Sequence, residues 1–283
     1  MNRHPTSRRH FLRTTTAVAA GALAIPALPT FAADEAKKKI PIALELYSVR
    51  NELPKDFAGV LKKIGEMGYQ GVEFASLQER TQKDPKALRR LLDDCGLKCC
   101  GTHTPLQTLQ GDALKVTIDL HKTLGNKFLI CPSLTAKDAA GWTNLAKRFN
   151  DIAARCKEQD MFVGYHSHAG DYKKFDGKTS WEIFFDNTNP EVIHQLDVGN
   201  TLSGGGDPIA MLKKYPGRTK SCHLKDHGGP KDAAIGEGEI DWKTLLDTFE
   251  TVGGTEWYIV EYESANPLEK IKVCLDNLHK WGR

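Results

Sequence analysis

Eight short runs rich in β-branched and aromatic residues recur along the chain, each separated from the next by a helix-like stretch. This alternation constrains the fold more than any other feature of the 283-residue sequence. The runs are Ile42–Tyr47, Gly71–Ala75, Lys98–His103, Lys127–Pro132, Phe162–His168, Ile193–Val198, Thr219–Lys225 and Trp257–Glu263. Between them apolar residues recur at spacings of three and four, as in Phe57-Val60-Leu61-Ile64, Leu88-Leu91-Leu92, Leu145-Phe149-Ile152-Ala153 and Leu245-Leu246-Phe249. That is the period of a helix with one buried face. Asp56 and Asp241 stand where N-caps belong, and Gly68, Gly96, Gly125 and Gly253 follow helices where a left-handed residue closes the last turn. Eight strands alternating with eight helices over roughly 250 residues predict an α/β protein with a single (β/α)8 barrel. The alternative is an open doubly wound sheet. Its dinucleotide-binding form has no support, because no G-x-G-x-x-G opens the first helix.

The barrel domain is read as residues 33–283, because the first 32 residues have a different character. Ser7-Arg8-Arg9-His10-Phe11-Leu12-Arg13 precedes a short apolar run, Ala17 to Pro29, and then Phe31-Ala32-Ala33. A basic segment, a short apolar segment and small residues at a cleavage position make a signal peptide, here expected to be cut after Ala32. The pattern S-R-R-x-F-L-R resembles a twin-arginine export signal. The apolar run falls short of the ~20 residues needed to span a bilayer. A periplasmic or exported product is therefore expected, with the twin-arginine translocase as a transient partner and no membrane anchor after cleavage. The formal charge of +3 also originates here: residues 1–32 hold four arginines and no acid, which leaves −1 for the rest. A body so near neutral gives no electrostatic case for nucleic acid. The seven cysteines form no C-x-x-C pair, so zinc-knuckle and thioredoxin readings fail, while a disulfide stays open for an exported chain.

In a barrel of this kind the carboxyl ends of the strands carry the chemistry. The polar residues at those ends are Glu45 and Tyr47, Glu73, His103, His166 and His168, Asp197 and Asn200, the His223-Lys225-Asp226-His227 group, and Glu261 with Glu263. Strand residues two apart share a face. Ser221, His223 and Lys225 therefore lie together, as do Trp257, Ile259, Glu261 and Glu263, opposite apolar residues that would face the helices. Two histidines, an aspartate and a glutamate on successive strands make a divalent-metal site with positions open to water or substrate. Trp142, Trp181 and Trp257 are candidate faces for stacking on a sugar, with core packing as the other reading of each. The Gly228–Gly238 stretch, which contains Glu237, is a candidate flap over the mouth.

The segments Tyr165-His-Ser-His168, Leu196-Asp-Val-Gly-Asn200, Cys222-His-Leu-Lys-Asp226, Gly236-Glu-Gly-Glu239 and Ile259-Val-Glu-Tyr-Glu263 resemble the sugar phosphate isomerase/epimerase family, the xylose isomerase-like barrels. The resemblance implies one divalent ion, manganese first, with zinc, cobalt or magnesium as alternatives, on His166, Asp197, His223 and Glu261. The candidate catalytic groups are then Glu261, Lys225, His168 and Glu73, and the candidate carbohydrate contacts are His103, Trp142, Trp257 and Glu237. Barrels of this type are often homo-oligomers. The activity implied is isomerisation or epimerisation of a non-phosphorylated sugar or keto-sugar, through removal of a proton α to a carbonyl. One departure matters: many epimerases of the family carry glutamate where this chain has His166, so the usual pair of opposed carboxylate bases is missing. The alternatives are a lyase cleaving 3-keto-glycosides by β-elimination and a non-catalytic, metal-dependent periplasmic sugar-binding protein. DNA-repair relatives of the superfamily carry a further ligand histidine where this chain has Asn200.

Overall fold

The computed structural model describes residues 39–77, 82–175 and 177–283. The export signal read at residues 1–32 lies outside the described residues. Eight parallel strands follow one another around a barrel: β1 (Ile42–Glu45), β2 (Gly71–Phe74), β3 (Lys98–His103), β4 (Phe128–Cys131), β5 (Phe162–His166), β6 (Ile193–Gln195), β7 (Ser221–Leu224) and β8 (Trp257–Val260). β1 pairs with β8 in the register Ile42 to Tyr258. The ring closes between β6 and β7 through a parallel bridge of Asp197 with His223 and the bond from His223 N–H to Leu196 C=O, 2.9 Å.

Most strands end one to three residues earlier than their apolar runs suggested. The last polar residues of each run have left the ladder and form the loops at the mouth. A two-stranded antiparallel ribbon, Lys174–Phe175 with Lys178–Thr179, was not anticipated.

The helices are α1 (Phe57–Met67), α2 (Pro85–Asp94), α3 (Ala113–Leu124), α4 (Ala139–Lys157), α5 (Ser180–Asp186), α6 (Val198–Ser203), α7 (Pro208–Lys214), α8 (Trp242–Thr248) and α9 (Pro267–Lys280). Their starts follow from side chains that accept the free N–H groups of a first turn. Asp56 accepts from Gly59 and Asp241 from Thr244, as expected, and Asp84 and Asp138 do the same for α2 and α4. Gly68 and Gly125 close α1 and α3 in the left-handed conformation. At the end of α8 the expectation moves by one residue. A wide turn, Phe249–Gly253, continues the helix, so the left-handed residue is Gly254 at φ 69° and not Gly253.

Two apolar layers hold the barrel. The outer layer packs strand residues such as Leu44, Val72, Leu224, Tyr258 and Val260 against the helices. The inner layer fills the amino-terminal end of the barrel with Ala43, Cys100 and Ile259, and with Phe128, Ile130 and Ile193 around Trp257. Polar side chains take over above this plug. β3 reaches that pattern through a bulge: Val72 pairs with Cys99 but Glu73 pairs with Gly101. Cys100 and Gly101 therefore both turn inward, Thr102 turns outward to Asn126, and His103 comes back inside. The seven cysteines are all unpaired.

Candidate metal centre and active site

His166, Asp197, His223 and Glu261 converge at the carboxyl ends of four successive strands, with one ligand atom from each lying within 4.8 Å of the others. All four are buried. Asp197 shows how the local fold builds the site. It is the N-cap of α6, and its Oδ1 accepts the Asn200 N–H at 2.7 Å. Its Oδ2 is buried and has no partner. A buried carboxylate oxygen without a donor is costly unless a cation or a proton meets it. Burial first, then the Glu261 charge, pushes the Asp197 carboxyl up to about 7.

His223 sits at the centre of the charges. Its Nδ1 is 2.5 Å from Glu261 Oε2 and its Nε2 is 2.5 Å from Glu73 Oε2. Burial lowers the affinity of its ring for a proton, but the two carboxylate bonds outweigh that and raise it well above the usual histidine value. Burial opposes ionisation of Glu261 as well. The His223 bond and charge and the Lys225 ammonium overcome it and hold that carboxyl well below its usual range. His166 is kept neutral by burial and then by the neighbouring His223 and His103. An imidazole without its second proton is what a metal ligand requires. Two imidazole nitrogens with two carboxylate oxygens suit manganese, iron, cobalt or zinc. The residues present therefore fit a divalent ion, with the unpartnered Asp197 Oδ2 as the strongest sign.

Around this set lie the groups that can meet a substrate. Lys225 is hydrogen-bonded to Glu263 and lies 3.7 Å from Glu261 Oε1. Its ammonium is raised further despite burial, because Glu261, Asp197 and Glu263 surround it. His168 is exposed at the rim, its ring 4.8 Å from that of His166. Together with Trp142, Leu134 and Lys173 it lines a cavity of about 330 Å³ beside the mouth. His103 stacks on His223 at 5.6 Å and 11° and turns Nε2 toward Gln195, 3.4 Å away.

Several sequence expectations need correction. Glu73 is fully buried and held by His223 and Gln195, so it lies beneath the site and does not reach substrate. Trp257 begins β8 and plugs the opposite end of the barrel, against Phe128 and Ile130. Trp181 is fully buried behind the wall and donates Nε1–H to His194 Nε2 at 2.7 Å. Trp142 belongs to α4, is buried against Tyr165 and Phe184, and shares the lining of that side cavity with His168. Glu237 is bound to Lys270 and to the Ala234 N–H. The expected flap is tied down, because Asp226 accepts from the N–H groups of His227, Gly236 and Gly238 and from Trp242 Nε1.

One residue was missed and the role of another was not read. Gln195 is fully buried and joins His166, Glu73 and Ser221. It lies two positions before Asp197 and hence on the same face of its strand, a signal that strand alternation alone could have supplied. Glu263 was seen at the end of its run, yet its role as the partner of Lys225 depends on a contact between strands.

Comparison with known proteins agrees with this fold. The family described as xylose isomerase-like TIM barrel matches residues 61–280. An inosose dehydratase of Lacticaseibacillus casei is 27% identical over 282 residues, covering 80% of this chain and 91% of that protein. An inosose dehydratase of Clostridium tetani is 31% identical over 154 residues, covering 45% of this chain. The chain thus spans half the length of the Clostridium tetani protein. Among solved structures, a sugar phosphate isomerase/epimerase from Parabacteroides distasonis superposes with a TM-score of 0.74 at 24% identity, covering 88% of this chain and 96% of that one. An L-ribulose 3-epimerase superposes at 0.64 and 15% identity, covering 86% and 94%. At these identities the structural matches speak for the fold.

Proposed function

The chain belongs to the xylose isomerase-like TIM barrel family, and from that premise we propose that it is a divalent-metal-dependent lyase of the dehydratase type. Its substrate on this reading is a non-phosphorylated, polyhydroxylated ketone, a keto-sugar or a keto-cyclitol. The observation that carries the choice of elimination over epimerisation is the identity of the acid–base groups at the mouth. Glu261 is the one carboxylate among the four ligands set beside a cation at the rim. The strand-five position that would hold an opposing carboxylate is His166, and Glu73 is sealed below. One base with a neighbouring ammonium suits removal of a proton from one carbon and departure of oxygen from the next. The inosose dehydratases among the relatives support the same direction.

When bound, the divalent ion supplies Lewis acidity toward the carbonyl, which makes the neighbouring C–H acidic. Glu261 takes that proton, and the C–H electron pair becomes the new C=C as the β C–O bond breaks. Lys225, held by Glu263, donates a hydrogen bond to the oxygen that gains charge. His168, exposed at the rim, relays a proton from solvent to the departing oxygen. On the sequence pattern of residues 1–32, the reading places the working enzyme in the periplasm.

The test is incubation with manganese in heavy water against keto-sugars, keto-inositols and 3-keto-glycosides. The reading expects an enone absorption and release of water or alcohol. Deuterium at an inverted carbon with no enone would replace it by the epimerase, for which His168 would be the second base. Binding with neither exchange nor elimination would replace it by the sugar-binding protein.

A further inference from the structure

Gln195 makes no contact with solvent, yet its side chain joins more site residues than any ligand does. Its Nε2 lies 3.0 and 3.2 Å from the two oxygens of Glu73 and 3.0 Å from Ser221 Oγ. Its Oε1 lies 3.0 Å from His166 Nδ1 and 3.4 Å from His103 Nε2. Only one orientation of the amide satisfies these neighbours. An ionised carboxylate only accepts hydrogen bonds, so the NH₂ group must face Glu73 and the carbonyl must face the two rings. A carbonyl accepts, so the ring nitrogens that face it must carry their protons.

From this we propose that Gln195 is a positioning residue: its amide, oriented by Glu73, locks His166 in the Nδ1–H tautomer and so presents the Nε2 lone pair to the ligand cluster. Glu73 holds the ring of His223 from the other side. Its Oε2 accepts from His223 Nε2, which leaves Nδ1 facing Glu261 and Asp197, the latter 4.0 Å away. The two histidines thus turn different nitrogens toward the cluster, and a single amide–carboxylate unit sets both orientations. Outer partners of this type commonly fix the ring and the tautomer of a ligating histidine. An uncharged amide suits the position better than a further acid, because Glu45 and Glu73 already crowd the same interior. The tautomer lock is a property of the protein alone, and only its effect on metal affinity rests on the reading given above.

The experiment is ¹⁵N-histidine NMR of the metal-free protein at neutral pH, with His166 assigned by its loss in His166→Gln. The ring should show a protonated Nδ1 and a bare Nε2. In Gln195→Leu it should shift toward Nε2–H, and the affinity for manganese or cobalt, measured by titration calorimetry, should fall by about 10–100-fold. Gln195→Glu keeps an acceptor toward His166 and should retain the Nδ1–H tautomer. An Nε2–H signal in the unaltered protein overturns the proposal without any variant. So does an unchanged tautomer, or an unchanged metal affinity, in Gln195→Leu. A lock that behaves as expected in a protein that takes up no divalent ion would support the lock and overturn the metal reading.

Discussion

One oxygen of Asp197 caps α6 and the other faces the ligand cluster alone, so the two roles can be separated by mutation. Asp197→Asn keeps an oxygen for the cap but removes the anionic ligand. Calorimetry should show metal affinity reduced about 100-fold or more with the melting temperature of the metal-free protein nearly unchanged. Asp197→Ala should lose the metal and also about 1 kcal/mol of stability with the cap. Equal metal affinity in the Asn variant and the parent would remove Asp197 from the site. Lys225→Met tests the other half of the chemistry. The ion should still bind, while kcat falls by roughly 10²–10³ from the loss of one donor to developing charge. The convergence of these residues was legible in the sequence because strand alternation put charged groups on one side of apolar strands. The fates of Glu73 and Trp257 were not. Both lie on the correct face, but depth along the barrel axis is set by register between strands, which no single strand records.

At the scale of elements, β3 is the informative case. Without its bulge, strict alternation would put His103 on the same side as Cys99, facing the helices. The extra residue resets the phase so that His103 returns to the interior. Gly101 is part of that arrangement, because a Cβ there would meet Glu73 Oε1 at 2.0 Å. Gly101→Ala should therefore displace Glu73, cost about 1–3 kcal/mol in urea unfolding and weaken metal binding. Gly170→Ala, whose Cβ meets nothing within 4 Å, is the control for stability. Comparable effects in the two variants would mean that the bulge does not support the site. Cys-Cys-Gly-Thr carries no periodic signal, so the bulge could not be read from the chain. The eight-fold alternation of strand and helix could, because it recurs over the full length and tolerates errors at any one boundary.

For the whole molecule, the proposed metal site and the fold would be linked through binding, and protons link to the fold in the same way. A ligand that binds only the folded state at 100 times its dissociation constant stabilises it by about 2.7 kcal/mol. Manganese at that excess should raise the melting temperature of the parent by roughly 5–10 °C and that of Asp197→Asn by much less. A second linkage lies outside the ligand cluster. His121 is buried on α3, accepts from Asn126 Nδ2 at Nδ1, and is driven by burial down to about 4. The unfolded chain takes up that proton near pH 6.5, so the stabilisation from the neutral ring is complete above that pH. It is lost as the pH falls toward 4, and it amounts to about 3 kcal/mol in all. Urea midpoints measured across that window should fall more steeply for the parent than for His121→Gln, and parallel curves would exclude His121 as a source of acid sensitivity.

The aromatic plug around Trp257 would also shape the traffic of the proposed reaction. Among the described residues the amino-terminal end of the barrel is filled, so the chamber above it is a well that opens at the mouth. In the proposed elimination the departing oxygen leaves at the rim beside His168, while the unsaturated product lies beneath it. Such a turnover would empty in a fixed order, outermost species first, and an accumulated product would stand in the doorway that the next substrate needs.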